Sequence, residues 1–410
     1  VGVQQSEGFV FSSVEGGVTA PAGFLAAGVS AGLKRSGKRD VCVLAAAAPC
    51  PAAGVYTQSA TAAPPVLLSR AHTAAGMLRA VAVNAGNANA CTGEQGMTHA
   101  RHMAETTASL LDCAPGEVAV CSTGVIGVPL PIDRVEGGLR EAVAALGTGT
   151  GETAAEAIMT TDTFLKQSAV SITVDGRTFT VGGMAKGSGM IQPNMATMLA
   201  FLTTDAPLSP DACDALLRHA VSRSFNRITV DSDTSTNDAC ILMASGAEGG
   251  ALLEPGSAAY EAVSAAIAEV ATDLAKMVVR DGEGATKFVT VTVRGAADER
   301  DAEIAAFSIA NSPLMKCALY GEDANWGRVA MAIGKSGAHV DPAAFEIVFA
   351  GITMCRNGTA LGFDEEEAAR ALAEPEIEVL VDLHVGVGEA TVWTCDFSHD
   401  YVRINGDYRS

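Results

Sequence analysis

Hydrophobic and polar positions alternate along this chain with two different periods, and each period predicts an element. Where every second residue is apolar, a strand with one buried face is expected. Arg79 to Asn84 follows that rule, then gives way to the small-residue run Asn84-Ala-Gly-Asn-Ala-Asn-Ala-Cys-Thr-Gly93, which reads as a turn. Met97 to Asp112 predicts a helix, and Val118-Ala-Val-Cys121 a short apolar strand ending in Ser122-Thr123-Gly124. Ser171 to Val181 reads as a hairpin around Asp175-Gly176, a pair that accepts the positive φ of a tight turn.

The second half continues in the same way. Ser209-Pro210 opens a helix with proline at its first position, where the missing N–H costs nothing. Val263, Ile267, Val270, Leu274 and Met277 recur at helical spacing, which predicts one face of an amphipathic helix from Ser257 onward. Lys287 to Arg294 alternates as a strand, and a helix is expected from about Asp298 to Asn311. Strands at Phe345–Phe349, Ile377–Asp382 and Ala390–Trp393 flank an acidic helix from Asp364 to Glu374. Strands alternating with helices, without repeats or low-complexity linkers, predict a layered α/β (α+β) chain. A smaller C-terminal α/β domain is expected from near residue 300 to 410.

Composition narrows the function. The chain has 410 residues, 48% hydrophobic and 18% charged, enough for two or three core-forming units. Lys+Arg number 27 against 47 Asp+Glu, a net charge of −20 that argues against nucleic acid and anionic membrane as partners. The ten cysteines contain no C-x-x-C pair, so they read as small core residues in a reducing compartment. His99 and His102 stand three apart in the predicted helix, but no acidic partner motif accompanies them and no metal is expected. The uncharged stretch Val41–Ser69 is broken by Pro49, Pro51, Pro64 and Pro65 and is not expected to span a membrane. No basic cluster precedes Lys34 and no apolar run follows one, so a signal peptide is not expected and the location expected is cytoplasmic.

The densest unusual stretch runs from Gly182 to Leu199 and places four glycines and Lys186 within eight residues. It does not fit a phosphate loop, because Lys186 precedes Gly187 where that loop needs the reverse order. On composition alone it reads as a glycine-rich bend between two strands. A second reading makes Thr197 a nucleophile. Its hydroxyl attacks the Ala196 carbonyl, the peptide shifts to an ester, and hydrolysis frees an N-terminal threonine. That residue carries nucleophile and base together, because a free α-amine titrates near ~8.

The run Ala185–Leu199 resembles the self-cleavage segment of the ornithine acetyltransferase (glutamate N-acetyltransferase) family. The segments Asn84–Gly93, Ser122–Gly127, Ile158–Asp162, Asp281–Gly284, Asn311–Leu314 and Asp323–Arg328 also resemble family segments, in family order. The resemblance implies an αββα-type sandwich shared with self-cleaving aminopeptidases. It implies cleavage between Ala196 and Thr197 into an α subunit, 1–196, and a β subunit, 197–410, associated as an α2β2 heterotetramer. The reaction implied moves acetyl from N-acetylornithine to glutamate by a ping-pong route through acetyl-threonine in arginine biosynthesis. No cofactor or metal is implied, with acetyl-CoA as a co-substrate if the enzyme is bifunctional.

The resemblance also assigns roles. Thr123 and Gly124 would form the oxyanion hole, and Thr160 or Thr161, with Thr160 preferred, would hold substrate. Lys186 would meet a substrate carboxylate from a glycine loop. Glu283, expected to be exposed by the glycines on either side of it, would meet the ornithine side-chain amine or help proton transfer. Asn405 and the terminal Ser410 would complete substrate binding. Three other readings stay open on the sequence: an aminopeptidase or amidase passing the acyl group to water, a non-catalytic binding protein with an uncleaved glycine loop, and an acetyltransferase of secondary metabolism.

Overall fold

The computed structural model describes residues 3–6, 8–192 and 198–407. These fall into two compact units. The first comprises Val1–Gly187, Pro193–Asn226 and Thr234–Val278, and the second Ser188–Gln192, Arg227–Asp233 and Val279–Ser410.

The first unit contains β1 (Val3–Ser6), β2 (Phe9–Ser13), β3 (Phe24–Val29), β4 (Val41–Tyr56), β5 (Met77–Asn87), β6 (Val118–Val125), β7 (Lys166–Val174), β8 (Arg177–Lys186), β9 (Leu199–Thr204) and β10 (Ala239–Ala244). Its helices are α1 (Pro64–Thr73), α2 (Gly93–Leu111), α3 (Ile132–Ala144), α4 (Gly151–Ile158), α5 (Pro210–Arg223) and α6 (Ala258–Arg280). The strand order is β1-β2-β7-β8-β9-β10-β4-β5-β6, with β3 also paired to β4. Strand β4 belongs to both layers. Val41–Ala46 lies between β3 and β5, and Ala52–Tyr56 pairs with β10. The register shift between Ala45 and Cys50 falls where Ala47, Ala48 and Pro49 are exposed. A bulge is where a strand tolerates proline, so Pro49 and Pro51 bend β4 without ending it.

The core lies between the two layers. Phe24, Leu44, Val83 and Cys121 on one side meet Met184, Phe201 and Ile241 on the other, joined by Ala155 and Ile158 of α4. Met103 of α2 and Leu139 of α3 cover the opposite face of the first layer, against Val43, Val118 and Val120. Helix α6 covers the outer face of the second layer, where a Cβ at Gly183 would lie 2.8 Å from both Leu202 and Leu274. The result is the expected layered αββα sandwich.

The second unit holds β11 (Phe288–Ala296), β12 (Glu346–Phe349), β13 (Ile352–Arg356), β14 (Thr359–Ala360), β15 (Glu376–Asp382) and β16 (Gly388–Cys395), ordered β14-β13-β12-β15-β11-β16. Its helices are α7 (Glu299–Ala310), α8 (Pro313–Tyr320), α9 (Trp326–Gly334), α10 (Glu365–Leu372) and α11 (His399–Asp407). Val289, Val291 and Val293 pack with Ala302, Ile309, Ile333 and Leu372. Its main segment starts at Val279 and not near residue 300, because β11 is an interior strand, paired to β15 on one edge and β16 on the other.

Helix starts follow the local chemistry of the sequence. Ser209 accepts from Ala212 N, Asp298 from Asp301 N, and Asp364 from Glu366 N and Glu367 N. Strand β6 outruns its expected end at Ser122–Gly124, because β5 continues beside it through the supposed turn, pairing Asn84 with Ser122 and Ala85 with Thr123.

Phe201 is fully buried between the layers. Phe201→Ala should lower unfolding stability by about 3–5 kcal/mol in urea titration. A loss below about 1 kcal/mol would contradict this packing.

Candidate active site

The paired ends of β5 and β6 come together through glycines. Gly124 has φ +129°, and a Cβ there would sit 2.4 Å from the Gly86 carbonyl carbon, so no other residue fits this close backbone approach. Thr123, beside it, is buried. Ser122 Oγ donates to Asn84 Oδ1 at 2.6 Å, and Asn84 Nδ2 donates to Asn87 O at 2.8 Å, which fixes the end of β5.

A single asparagine ties this corner to the strand that follows Thr197 in sequence. Asn237 Nδ2 donates to Ser122 O at 2.9 Å and to Ala88 O at 2.6 Å. Two residues on, Ala239 N donates to Met198 O at 3.0 Å. The chain therefore runs from the residue before Thr123, through Asn237 and Ala239, to the residue after Thr197. Ala196 and Thr197 themselves lie outside the described residues, as does Ser410.

A second group forms around Asp162, whose side chain is wholly buried. Its Oδ2 accepts from Thr160 N at 2.8 Å. Its Oδ1 accepts from Lys166 Nζ at 2.6 Å and from Gly187 N at 2.7 Å. Burial alone would push this carboxyl up, but the charges of Lys186 and Lys166 and the hydrogen bonds from Lys166 and Thr160 hold it well below the usual carboxylate range. Lys186 is buried and is the last residue of β8, opposite Leu199. It is thus a strand residue and not a loop residue, because the β8–β9 pairing runs past the first glycines of the run. Thr160 and Thr161 are both half-buried between α4 and β7.

Lys34, Asp162, Lys166 and Asp238 were not singled out from the sequence. Lys34 Nζ donates to Ala157 O at 3.1 Å and to Arg39 O. Burial lowers its pKa to about 8, partly offset by Asp40, Asp162 and Glu156. Asp238, between Asn237 and Ala239, is fully buried, and its Oδ2 makes no hydrogen bond among the described residues. Burial pushes its carboxyl well above the ordinary value, despite a Ser235 hydrogen bond and the charge of Lys186. Around Asp162 the two buried lysines, Lys166 and Lys186, outnumber the one carboxylate, while Lys34 is offset by Asp40 and Glu156 as well, which leaves a local positive surplus suited to an anionic substrate. Only the ends of α4, β8 and the 30–40 loop converging on Asp162 reveal it, and sequence spacing carries no signal of that.

In the second unit, Glu283 is buried and not exposed as its flanking glycines suggested. Gly189 packs on it so closely that a Cβ would lie 2.4 Å from the Glu283 carboxyl carbon. Asn405 Nδ2 donates to Glu283 Oε2 at 2.9 Å, so two residues expected to bind substrate meet directly. Asp231 holds the segment leading towards Pro193, accepting from Met190 N at 2.6 Å and Ile191 N at 2.8 Å. Met190 takes φ +58°, an uncommon conformation for a side-chain-bearing residue, which those bonds stabilise.

Of the two histidines, His102 pairs with an acid: its Nε2 lies 2.7 Å from Glu136 Oε2. Among the described residues no cluster of three or more His, Cys, Asp or Glu side chains could hold a metal ion, and no helix is long and apolar enough to cross a membrane.

A family model described as the ArgJ family matches residues 25–410. The chain belongs to the ArgJ family. It is 54% identical to the arginine biosynthesis bifunctional protein ArgJ of Symbiobacterium thermophilum, over 96% of this chain and 99% of that protein. The Geobacter sulfurreducens protein of the same name is 49% identical over 95% and 99%. The crystal structure of the Bacillus halodurans ArgJ protein is 42% identical with a TM-score of 0.50 and covers 51% of this chain, but 98% of its own.

Lys34 sets a pH test. Its folded value of about 8 lies below the 10.5 of a free lysine, so between the two the unfolded chain holds the extra proton and stability rises with pH. Melting curves from about pH 7.5 to 10 should show the parent gaining on Lys34→Met. A constant difference across that range would contradict the burial of this amine.

Proposed function

We propose that this chain cleaves itself between Ala196 and Thr197 and then moves acetyl from N-acetylornithine to glutamate on the Thr197 hydroxyl. The observation that carries the reading is the Ser122–Asn237–Ala239–Met198 connection. It binds the end of β6, with Thr123 and Gly124, to the strand whose first residues follow Thr197. A nucleophile and an oxyanion hole must be held to one another rigidly, and this connection runs from β6 through the buried Asn237 side chain to the start of β10 and the residue before β9.

In the maturation step the Thr197 hydroxyl attacks the Ala196 carbonyl and the C–N bond breaks. Water then cleaves the resulting ester, leaving the Ala196 carboxylate and the Thr197 α-amine. That α-amine takes the hydroxyl proton when Thr197 attacks the acetyl carbonyl of N-acetylornithine. Thr123 and Gly124 stabilise the tetrahedral oxyanion, and the proton passes to the departing ornithine amine. The amine of glutamate attacks the acetyl ester next, giving N-acetylglutamate and restoring Thr197. Lys186 holds the substrate carboxylate, Thr160 its neighbouring polar groups, and Glu283, set by Asn405, the ornithine side-chain amine.

Support comes from two sides. The relatives carry arginine biosynthesis and bifunctionality in their names, and the second activity in this reading is acetylation of glutamate from acetyl-CoA. The solved Bacillus halodurans chain spans half of this one while being covered almost completely, as expected of one half of a cut polypeptide. The mature enzyme is read as a cytoplasmic α2β2 heterotetramer without bound metal or cofactor.

Intact-mass analysis and N-terminal sequencing of purified protein should find two fragments, one beginning Thr-Met-Leu. Thr197→Ala should remain a single chain and transfer no acetyl group. An active parent that stays uncut would overturn the reading.

A further inference from the structure

We propose that Asp162 is the positioning residue that sets the spacing between Thr160 and Lys186, and so makes the site selective for substrates bearing a carboxylate. The inference rests on the acetyl-transfer reading above and assigns a role to a residue which that mechanism does not use.

Asp162 is placed where one group can control both sides of the site. Its Oδ2 takes the Thr160 amide, on the connection after α4, and its Oδ1 takes the Gly187 amide, next to Lys186 at the end of β8. The two elements are about 25 residues apart in sequence, and the carboxylate joins their backbones directly. Lys166 completes Oδ1 from the first residue of β7, with both side chains wholly buried. Both carboxylate oxygens therefore accept hydrogen bonds, one at Oδ2 and two at Oδ1. An asparagine at 162 has one oxygen and one NH2 group, so it would turn a donor towards Thr160 N or towards Gly187 and Lys166.

Charge makes the same residue decisive a second time. Lys34, Lys166 and Lys186 all act on Asp162. With the carboxylate ionised, Lys166 is bonded to it and Lys186 is attracted to it, and these two buried amines against one carboxylate leave a positive surplus for an anionic ligand. Without it, like charges in a buried place repel, and the end of β8 must shift away from Thr160. An ordinary structural ion pair would not behave so, since apolar replacement of both partners is often tolerated.

The test compares the parent with Asp162→Asn, Asp162→Glu, and Asp162→Asn combined with Lys166→Met, which removes the lysine left unpaired. Each folded variant is assayed with N-acetylornithine and glutamate, and with p-nitrophenyl acetate, an acetyl donor that has no carboxylate. The KM for both amino-acid substrates should rise about tenfold or more, while p-nitrophenyl acetate turnover stays within about threefold. A parallel fall with all three substrates would make Asp162 a general support of the fold and overturn the proposal. So would unchanged KM values, or failure of all three variants to fold. A parent that ignores N-acetylornithine overturns the acetyl-transfer reading and this proposal with it, whereas loss of the KM split alone overturns only the proposal.

Discussion

A strand hydrogen-bonded on both edges cannot leave a sheet without breaking two ladders, and β9 is such a strand. It runs antiparallel to β8 and parallel to β10, and all six of its residues are buried. Thr197 lies two residues upstream of it in sequence. Whatever chemistry acts on that threonine starts from an anchored base. The same pairing explains how two fragments would hold together after a cut at 196/197. Strands β9 and β10 come from the later fragment, yet they sit between β8 and β4 of the earlier one. Separating the fragments would require breaking the β8–β9 and β10–β4 ladders and exposing Phe201 and Ile241.

Electrostatics acts locally against the overall balance. A chain of net charge −20 repels anions at long range, but salt screens that field beyond roughly 8 Å. The buried lysines around Asp162 are not screened in this way, so a small carboxylate that reaches them meets a favourable field. Burial pushes the Asp238 carboxyl well above its ordinary value. The charges of Lys186 and Lys166, with the hydrogen bonds from Lys166 and the Thr160 amide, hold the Asp162 carboxyl well below the usual carboxylate range against its burial.

Much of the fold was legible in the pattern, and the exceptions have physical causes. The Asp175-Gly176 hairpin, the helix after Pro210 and the long helix α6 follow directly from turn residues and periodicity. The sixteen-residue β4 did not show itself, because alanines and two prolines mask a strand that changes partners midway. The site divides similarly. Thr123, Gly124, Thr160, Lys186 and Glu283 stand in motifs, whereas Lys34, Lys166 and Asp238 stand in none. Their roles depend on which strand ends converge. The glycines flanking Glu283 suggest an open turn, whereas Gly189 lets the chain pack onto the carboxylate and bury it.

The central claim is that Thr197 carries the acetyl group between two half-reactions. The direct measurement is the mass of the fragment beginning at Thr197, taken by rapid acid quench after mixing with N-acetylornithine alone. The account predicts a gain of one acetyl group that disappears when glutamate is added. An unmodified fragment, in an enzyme that transfers acetyl with intersecting double-reciprocal plots, would mean direct transfer between two bound substrates and would contradict it.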